Sequence, residues 1–405
     1  MKSHHCLLSA LKARLPKVRV LGALGAGALM AVSPNLTHAA NLIGLGDLAG
    51  GVFRSEARSI SYDGAVVMGN GYSASGDEAF RWTQAGGMVG LGDLPGSAFL
   101  SQGYDGSANG AVVVGWSVSA SGDQAFCWTQ AGGMVGLGDL PGGGFRSNAY
   151  GTSFDGAVVV GQGASASGSE AFRWTQAGGM VGLGDLPGGS FGSYARATDG
   201  VYVVGGSYSA LGEEAFYWTQ AGGMIGMGDL PGGFFSSFAT GISPMGLGLA
   251  VVGQSYSASG PEAFRWEAGP GYGMVGLGDL PGGVFRSIAY GVSANGAVVV
   301  GDSSTGVSAD IQTAFIWDAA NGMRSLAAVL AAQGANLTGW SNLSLAYDVS
   351  DDGLSIVGMG VHNGQAEAFL AQLDPAPVPA PPAVWLFGSG LVGLFGLARR
   401  KKRAV

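Results

Sequence analysis

Along most of the chain the apolar positions fall in short alternating runs broken by turn residues, without the three-and-four spacing of an amphipathic helix. The stretch 101–140 reads as four strands: a small-residue strand near Gly103–Ala108, then Ala111–Ser117, Gln124–Thr129 and Met134–Leu140. Asn109-Gly110 separates the first two, and Asp63-Gly64, Asp155-Gly156, Asn295-Gly296 and Asp352-Gly353 recur at matching places. Such pairs supply the positive φ of a tight hairpin. Ala-Ser-Gly and Ala-Gly-Gly supply the next two turns. One segment departs from this pattern: Ser325 to Gly334 reads as a short helix over a blade edge, with Ser325 as N-cap and Gly334 as its stop.

The four-strand unit repeats. Ala-Phe-x-Trp marks it at Phe80/Trp82, Phe126/Trp128, Phe172/Trp174, Phe216/Trp218, Phe264/Trp266 and Phe315/Trp317, and Ala368-Phe369 is a seventh copy without the Trp. A glycine ends the Val-rich run before each: Gly69, Gly115, Gly161, Gly205, Gly253, Gly301 and Gly358. The period is about 46 residues, the range of propeller blades, with a β-solenoid as the alternative. The fourth strands discriminate between them. The seventh unit ends at Leu373 without one, while Asn41–Leu48, with the same Leu-Gly-Asp-Leu ending, stands unpaired before the first full unit. That arrangement predicts a seven-bladed, all-β propeller over 41–373, closed by its N-terminal strand.

Composition agrees with many short strands. Glycine supplies 77 of 405 residues, which disfavours helix, while 47% hydrophobic and 10% aromatic content argues against disorder. Five of the 19 basic residues lie in 1–40 and five in 399–403, leaving nine against 27 acidic ones in the body. A body so acidic repels nucleic-acid backbones, so no nucleic-acid partner is expected.

The ends read as addresses. Residues 1–40 carry Lys2, Lys12, Arg14, Lys17 and Arg19, then an apolar run from Val20 to Val32, then Thr37-His38-Ala39-Ala40, the order of a signal peptide. Cys6 would leave with it. At the other end a proline-rich linker, 374–382, leads into a transmembrane sorting segment, 383–405, with five basic residues at 399–403. The run from Val378 through Pro379-Ala380-Pro381, the apolar stretch and Arg399-Arg400 resembles the PEP-CTERM sorting signal, with Ala380 where that family carries Glu. The resemblance implies an exosortase-type sorting protease as partner and transient anchoring in the inner membrane of a Gram-negative cell. It also implies export to the surface or matrix of cells that make exopolysaccharide. The internal unit is similar to the HAF-type extracellular repeat, with Glu78, Gln124, Glu170, Glu214, Glu262, Thr313 and Glu367 at that family's His position. This second resemblance implies an exported repeat protein of undefined activity.

No catalytic set is legible. The body holds one histidine, His362, read as a solvated turn residue, and one cysteine, Cys127, read as a drifted repeat position. Neither a zinc site nor a nucleophilic triad can be assembled from them. The Ser-x-Asp-Gly turns share part of the sialidase Asp-box but lack its Thr-Trp, and hairpin geometry explains them. Tyr72, Trp116, Tyr208, Tyr256 and Trp340 fall outside the core pattern and are candidates for stacking on sugars.

The strongest constellation is acidic. A two-residue Ala85-Gly86 turn would set Glu78 opposite Asp93, and likewise Glu170 opposite Asp185, Glu214 opposite Asp229, Glu262 opposite Asp279 and, on ring closure, Glu367 opposite Asp47. Facing carboxylates require solvation or a cation, and calcium is the natural one. The alternative is that Asp caps the Leu-Pro-Gly turn and Glu points to water. No other cofactor is expected. The reading at this level is a non-enzymatic adhesion or scaffolding protein bound to exopolysaccharide in a biofilm or matrix. The alternative is a polysaccharide-binding or polysaccharide-acting enzyme, a glycoside hydrolase or lyase, disfavoured because an enzyme site normally breaks a repeat's symmetry.

Overall fold

In the computed structural model, the residues described are 40–375, apart from 97, 245–248, 268–272 and 307–311. The signal peptide and the sorting residues Pro379, Ala380, Pro381, Arg399 and Arg400 lie outside them. Among the described residues no helix is long and apolar enough to cross a membrane.

Seven four-stranded antiparallel sheets make the seven blades of a β-propeller. Blade 2, for example, consists of Ser101–Gly106, Val112–Ser119, Gly122–Thr129 and Gly133–Gly136. Its fourth strand is shorter than the sequence suggested, because Leu137–Leu140 leaves the sheet to pack between blades. Blades 1 and 3–6 repeat this order from first strands Gly50–Ile60, Gly142–Thr152, Gly188–Thr198, Gly232–Ile242 and Ser287–Val292. Blade 7 takes Trp340–Val349, Ser355–His362 and Gln365–Gln372 from the end of the body and its outer strand, Asn41–Gly44, from the beginning. Leu42 faces Ala371 and Gly44 faces Phe369 across that seam. The ring is closed by the N-terminal strand, and the solenoid is excluded.

The core lies between blades. Phe80, Phe126, Phe172, Phe216, Phe264, Phe315 and Phe369 are fully buried. Phe172 of blade 3, for instance, packs on Val112, Val114 and Cys127 of blade 2. Seven such clusters follow one another round the ring, and the one holding Phe80 joins blade 1 to Val357, Ala368 and Leu370 of blade 7. Burying each ring contributes roughly 2–3 kcal/mol, which offsets the entropy lost by so glycine-rich a backbone.

Polar groups add a second inter-blade tie. Ser101 Oγ donates to Gly92 O (2.6 Å) and accepts from Ala79 N (3.0 Å), both in the preceding blade. Ser147, Ser193, Ser237 and Ser287 repeat the clamp, and Ser55 makes it across the ring seam to Gly46 and Ala368. The Ser-x-Asp-Gly segments are hairpin turns as read: Asp63 Oδ1 accepts from Ser61 Oγ and Ala65 N, and Gly64 sits at φ 72°. The expected helix is present as Leu326–Ala332, with Leu330 fully buried, although Ser325 makes no side-chain cap bond.

The glycine that ends each Val-rich run has a specific cause. A Cβ at Gly161 would lie 1.9 Å from the Asn148 carbonyl oxygen on the first strand of its blade. That close approach sits beside a register shift in the first strand, between Ala149 and Gly151.

Candidate functional site: the axial channel

The same shift occurs in all seven blades. Pairing between first and second strands skips one residue after Ala57, Gly103, Ala149, Ala195, Ala239, Ala289 and Ala346. The skipped residues are Arg58, Tyr104, Tyr150, Arg196, Thr240, Tyr290 and Tyr347. A bulge frees a residue from the ladder and re-aims its side chain. Here all seven line one cavity of about 540 Å³, which only first strands and the turns after them enclose. The cavity is the axial channel of the propeller.

The channel breaks the repeat symmetry that the core preserves. Four tyrosines, two arginines and a threonine occupy one structural position. The Arg58 guanidinium carbon lies 4.3 Å from the Tyr347 ring centroid and 5.7 Å from that of Tyr104, and its NH2 group pairs with Glu56 at 3.0 Å. Burial alone would lower the Arg58 pKa, but Glu56, Tyr347 and Tyr104 outweigh it and hold the guanidinium firmly charged. Arg196 lies 4.5 Å from the Tyr150 centroid and 5.1 Å from that of Tyr194. The Tyr290 and Tyr347 rings meet at a tilt of 46° with centroids 5.2 Å apart, and Tyr104 and Tyr150 meet edge to face at 5.4 Å.

One residue further on, four blades carry Gly or Ala while Ser59, Asp105 and Asp348 stand in blades 1, 2 and 7. Ser59 Oγ lies 2.8 Å from Asp105 Oδ1 and 3.2 Å from Asp348 Oδ2, bridging the two carboxylates. Thr152 N donates to Asp105, and Ile60 N and Val349 N donate to Asp348. Desolvation pushes Asp105 up to about 6 and, with the Asp105 charge beside it, Asp348 up to about 7. The pair therefore takes up protons between about pH 6 and 7, above the ordinary carboxylate range.

The acidic pairs expected from sequence are not directly opposed. Phe80 faces Gly90 and Arg81 faces Val89, one residue out of the expected register, so Glu78 stands opposite Gly92 and Asp93 lies beyond it. The reason is a three-residue loop, with Thr83 paired to Gly87 and the Gly86 amide donating to Thr83 Oγ1. Glu78 accepts from Gly92 N at 2.9 Å, and Gly92 sits at φ 76° to present that amide. Glu170, Glu214, Glu262 and Glu367 take Gly184, Gly228, Gly278 and Gly46 in the same way. The glutamates thus cap backbone amides instead of pointing to water. Burial, and secondarily the nearby glutamate, raises Asp47, Asp229 and Asp279, so the partners sense each other without facing. Asp185 stands in the equivalent place in blade 3. The calcium expectation loses the direct opposition on which it was built. Among the described residues no three His, Cys, Asp or Glu side chains converge as metal ligands.

His362 is not a solvated turn residue. It ends a strand, stacks on Trp340 with ring centroids 4.5 Å apart, and sets Nδ1 2.6 Å from Glu367 Oε2. Cys127 is 1% exposed in an inter-blade cluster. Of the other aromatics singled out, Trp116 donates to Tyr104 OH at 3.3 Å, Tyr72 lies under Arg54, and Tyr208 and Tyr256 are exposed away from the channel. The channel residues themselves were missed. Their signal is a single repeat column, 58, 104, 150, 196, 240, 290 and 347, that varies in bulky polar residues beside a small-residue column.

Among solved structures, the fold is similar to oligogalacturonate lyase from Vibrio parahaemolyticus, with TM-score 0.50 and 10% identity over 82% of this chain and 93% of that one. It is also similar to an oligogalacturonate lyase in complex with manganese (TM-score 0.49, 14% identity, 85% and 99% covered) and to TolB from Acinetobacter baumannii (0.43, 11%, 64% and 62%). No family model and no curated protein matches the chain. At these identities the likeness concerns architecture alone: the chain is a seven-bladed β-propeller.

Proposed function

We propose that this protein is an exported, non-enzymatic surface or matrix component that binds extracellular polysaccharide through its axial channel. The carrying observation is the set of seven bulged positions, which place four tyrosines and two arginines in one channel, whereas the repeated Phe and Ser positions serve the core and the blade clamps. Aromatic faces and guanidinium groups are the side chains that recognise sugar rings and their substituents. The address-like ends support export, sorting by an exosortase-type protease and transient inner-membrane anchoring. The acidic body supports a partner other than nucleic acid. Co-sedimentation of the purified protein with secreted polysaccharides tests the reading. Retention is expected, and Tyr150→Ala should abolish it.

A second reading has a specific observation behind it. Asp105 and Asp348 are carboxyls with raised pKa on one channel wall, the property required of the acid in glycoside cleavage. Some propellers of similar fold are lyases acting on oligogalacturonate. Shortening of a polysaccharide by the purified protein, lost in both Asp105→Asn and Asp348→Asn, would establish this reading in place of the first.

A further inference from the structure

The two channel arginines are in different electrostatic states. Arg58 is neutralised by Glu56 at 3.0 Å and lies between two tyrosine rings. Arg196 has no carboxylate within 4 Å among the described residues, and its exposed side chain lies over Tyr150 and Tyr194. Stacking on rings occupies the face of a guanidinium and leaves its N–H edge for a planar anion, which a carboxylate meets with two parallel hydrogen bonds.

The rest of the channel is polarised to match. Arg196 stands on blade 4, whereas Asp348, Ser59 and Asp105 occupy the wall made by blades 7, 1 and 2. A ligand with an anionic group at one end and hydroxyls at the other would place the anion on Arg196 and turn its hydroxyls to the carboxyl-bearing wall of Asp105 and Asp348. The cavity of about 540 Å³ accommodates a sugar of this kind between the tyrosines.

Resting on the channel as the polysaccharide site, we propose that it selects a carboxylate-bearing sugar, a uronic-acid unit, with the carboxylate on Arg196 and the ring against Tyr150. Neutral sugars of the same shape gain the stacking but leave the guanidinium edge without an anion.

Titration calorimetry on the purified protein tests this with trigalacturonate, its methyl ester and free galacturonic acid. The ester keeps the rings and removes the charge, and the free acid separates capture of a chain unit from capture of a small metabolite. Trigalacturonate is expected to bind at least tenfold more tightly than its ester. Arg196→Gln should erase that difference, lowering trigalacturonate binding to the level of the ester, while retaining the melting temperature, and Arg196→Lys should restore part of it. Equal binding of acid and ester, or an Arg196→Gln variant with the preference intact, overturns the uronate proposal and leaves the channel reading standing. Absence of binding by either trimer also overturns it. If polysaccharide binding survives Tyr150→Ala, the channel reading itself falls. Tighter binding of the free acid than of the trimer would reassign the site to a small metabolite.

Discussion

The amide of Leu45 donates to the carbonyl of Ala368 at 2.9 Å, fastening the start of the body to its last strand. Ser55 and the inter-blade cluster around Phe80 reinforce the same seam. In a closed ring this strand supports both the first and the last blade. A chain beginning at Ala49 should lose stability across the whole body and aggregate, as read by thermal melting and size-exclusion chromatography. Leu42→Cys with Ala371→Cys should form a disulfide, since facing antiparallel residues hold their Cα atoms within bridging distance. An unchanged melting temperature in the Ala49 chain would show that the seam carries no global stability.

Phe172→Ala should cost about 3–5 kcal/mol in chemical denaturation, because the ring is fully buried between blades 2 and 3. Gly161→Ala should be at least as damaging although it adds one methyl group. The Asn148 backbone occupies the space that the new Cβ needs, and no side-chain rotation relieves the clash.

The Asp105 and Asp348 pair predicts a pH dependence with a definite sign. Both carboxyls start from 3.8 and rise on folding to about 6 and about 7, so between about pH 4 and 7 the folded state binds more protons than the unfolded chain. Their contribution to stability is therefore greatest at low pH and falls as pH rises through that window. In Asp105→Asn the amide oxygen can accept from Thr152 N and the amide N–H₂ can donate to Ser59, preserving the network without the charge. The difference in melting temperature, variant minus parent, should grow more positive from pH 5 to pH 8. A difference that is flat with pH would contradict the assignment.

Calcium should leave the melting temperature unchanged, because Glu78 caps Gly92 and does not stand opposite Asp93. Melting with calcium and with a chelator checks this. A rise of several degrees with calcium, lost in Glu78→Gln, would restore a cation site between these side chains.

The ring was legible because its determinants are local and repeated. Phe80 and its six counterparts, the glycine ending each Val-rich run and the unpaired Asn41–Leu48 strand all declare themselves by period. The facing of Glu78 was misjudged by one residue because a two-residue turn and a three-residue loop differ by the hydroxyl of Thr83, which propensity does not reveal. The channel was hidden for a related reason. A bulge is a property of two paired strands, so Arg58 and Tyr104 look like ordinary strand residues until the partner's register is known. The repeated carboxylates are alike in most blades, which disfavours an enzyme site among them, whereas the asymmetry lies in the bulged column.

Among the described residues, aromatic rings are offered to a sugar both in the channel, by Tyr150 and Tyr347, and outside it, by the exposed Tyr208 and Tyr256. The most direct measurement is the polysaccharide affinity of Tyr150→Ala and Arg196→Gln compared side by side with Tyr208→Ala and Tyr256→Ala, each confirmed folded by its melting curve. The account predicts at least a tenfold loss in both channel variants and no change in the other two. Loss confined to Tyr208→Ala and Tyr256→Ala, with the channel variants binding as the parent does, would contradict it.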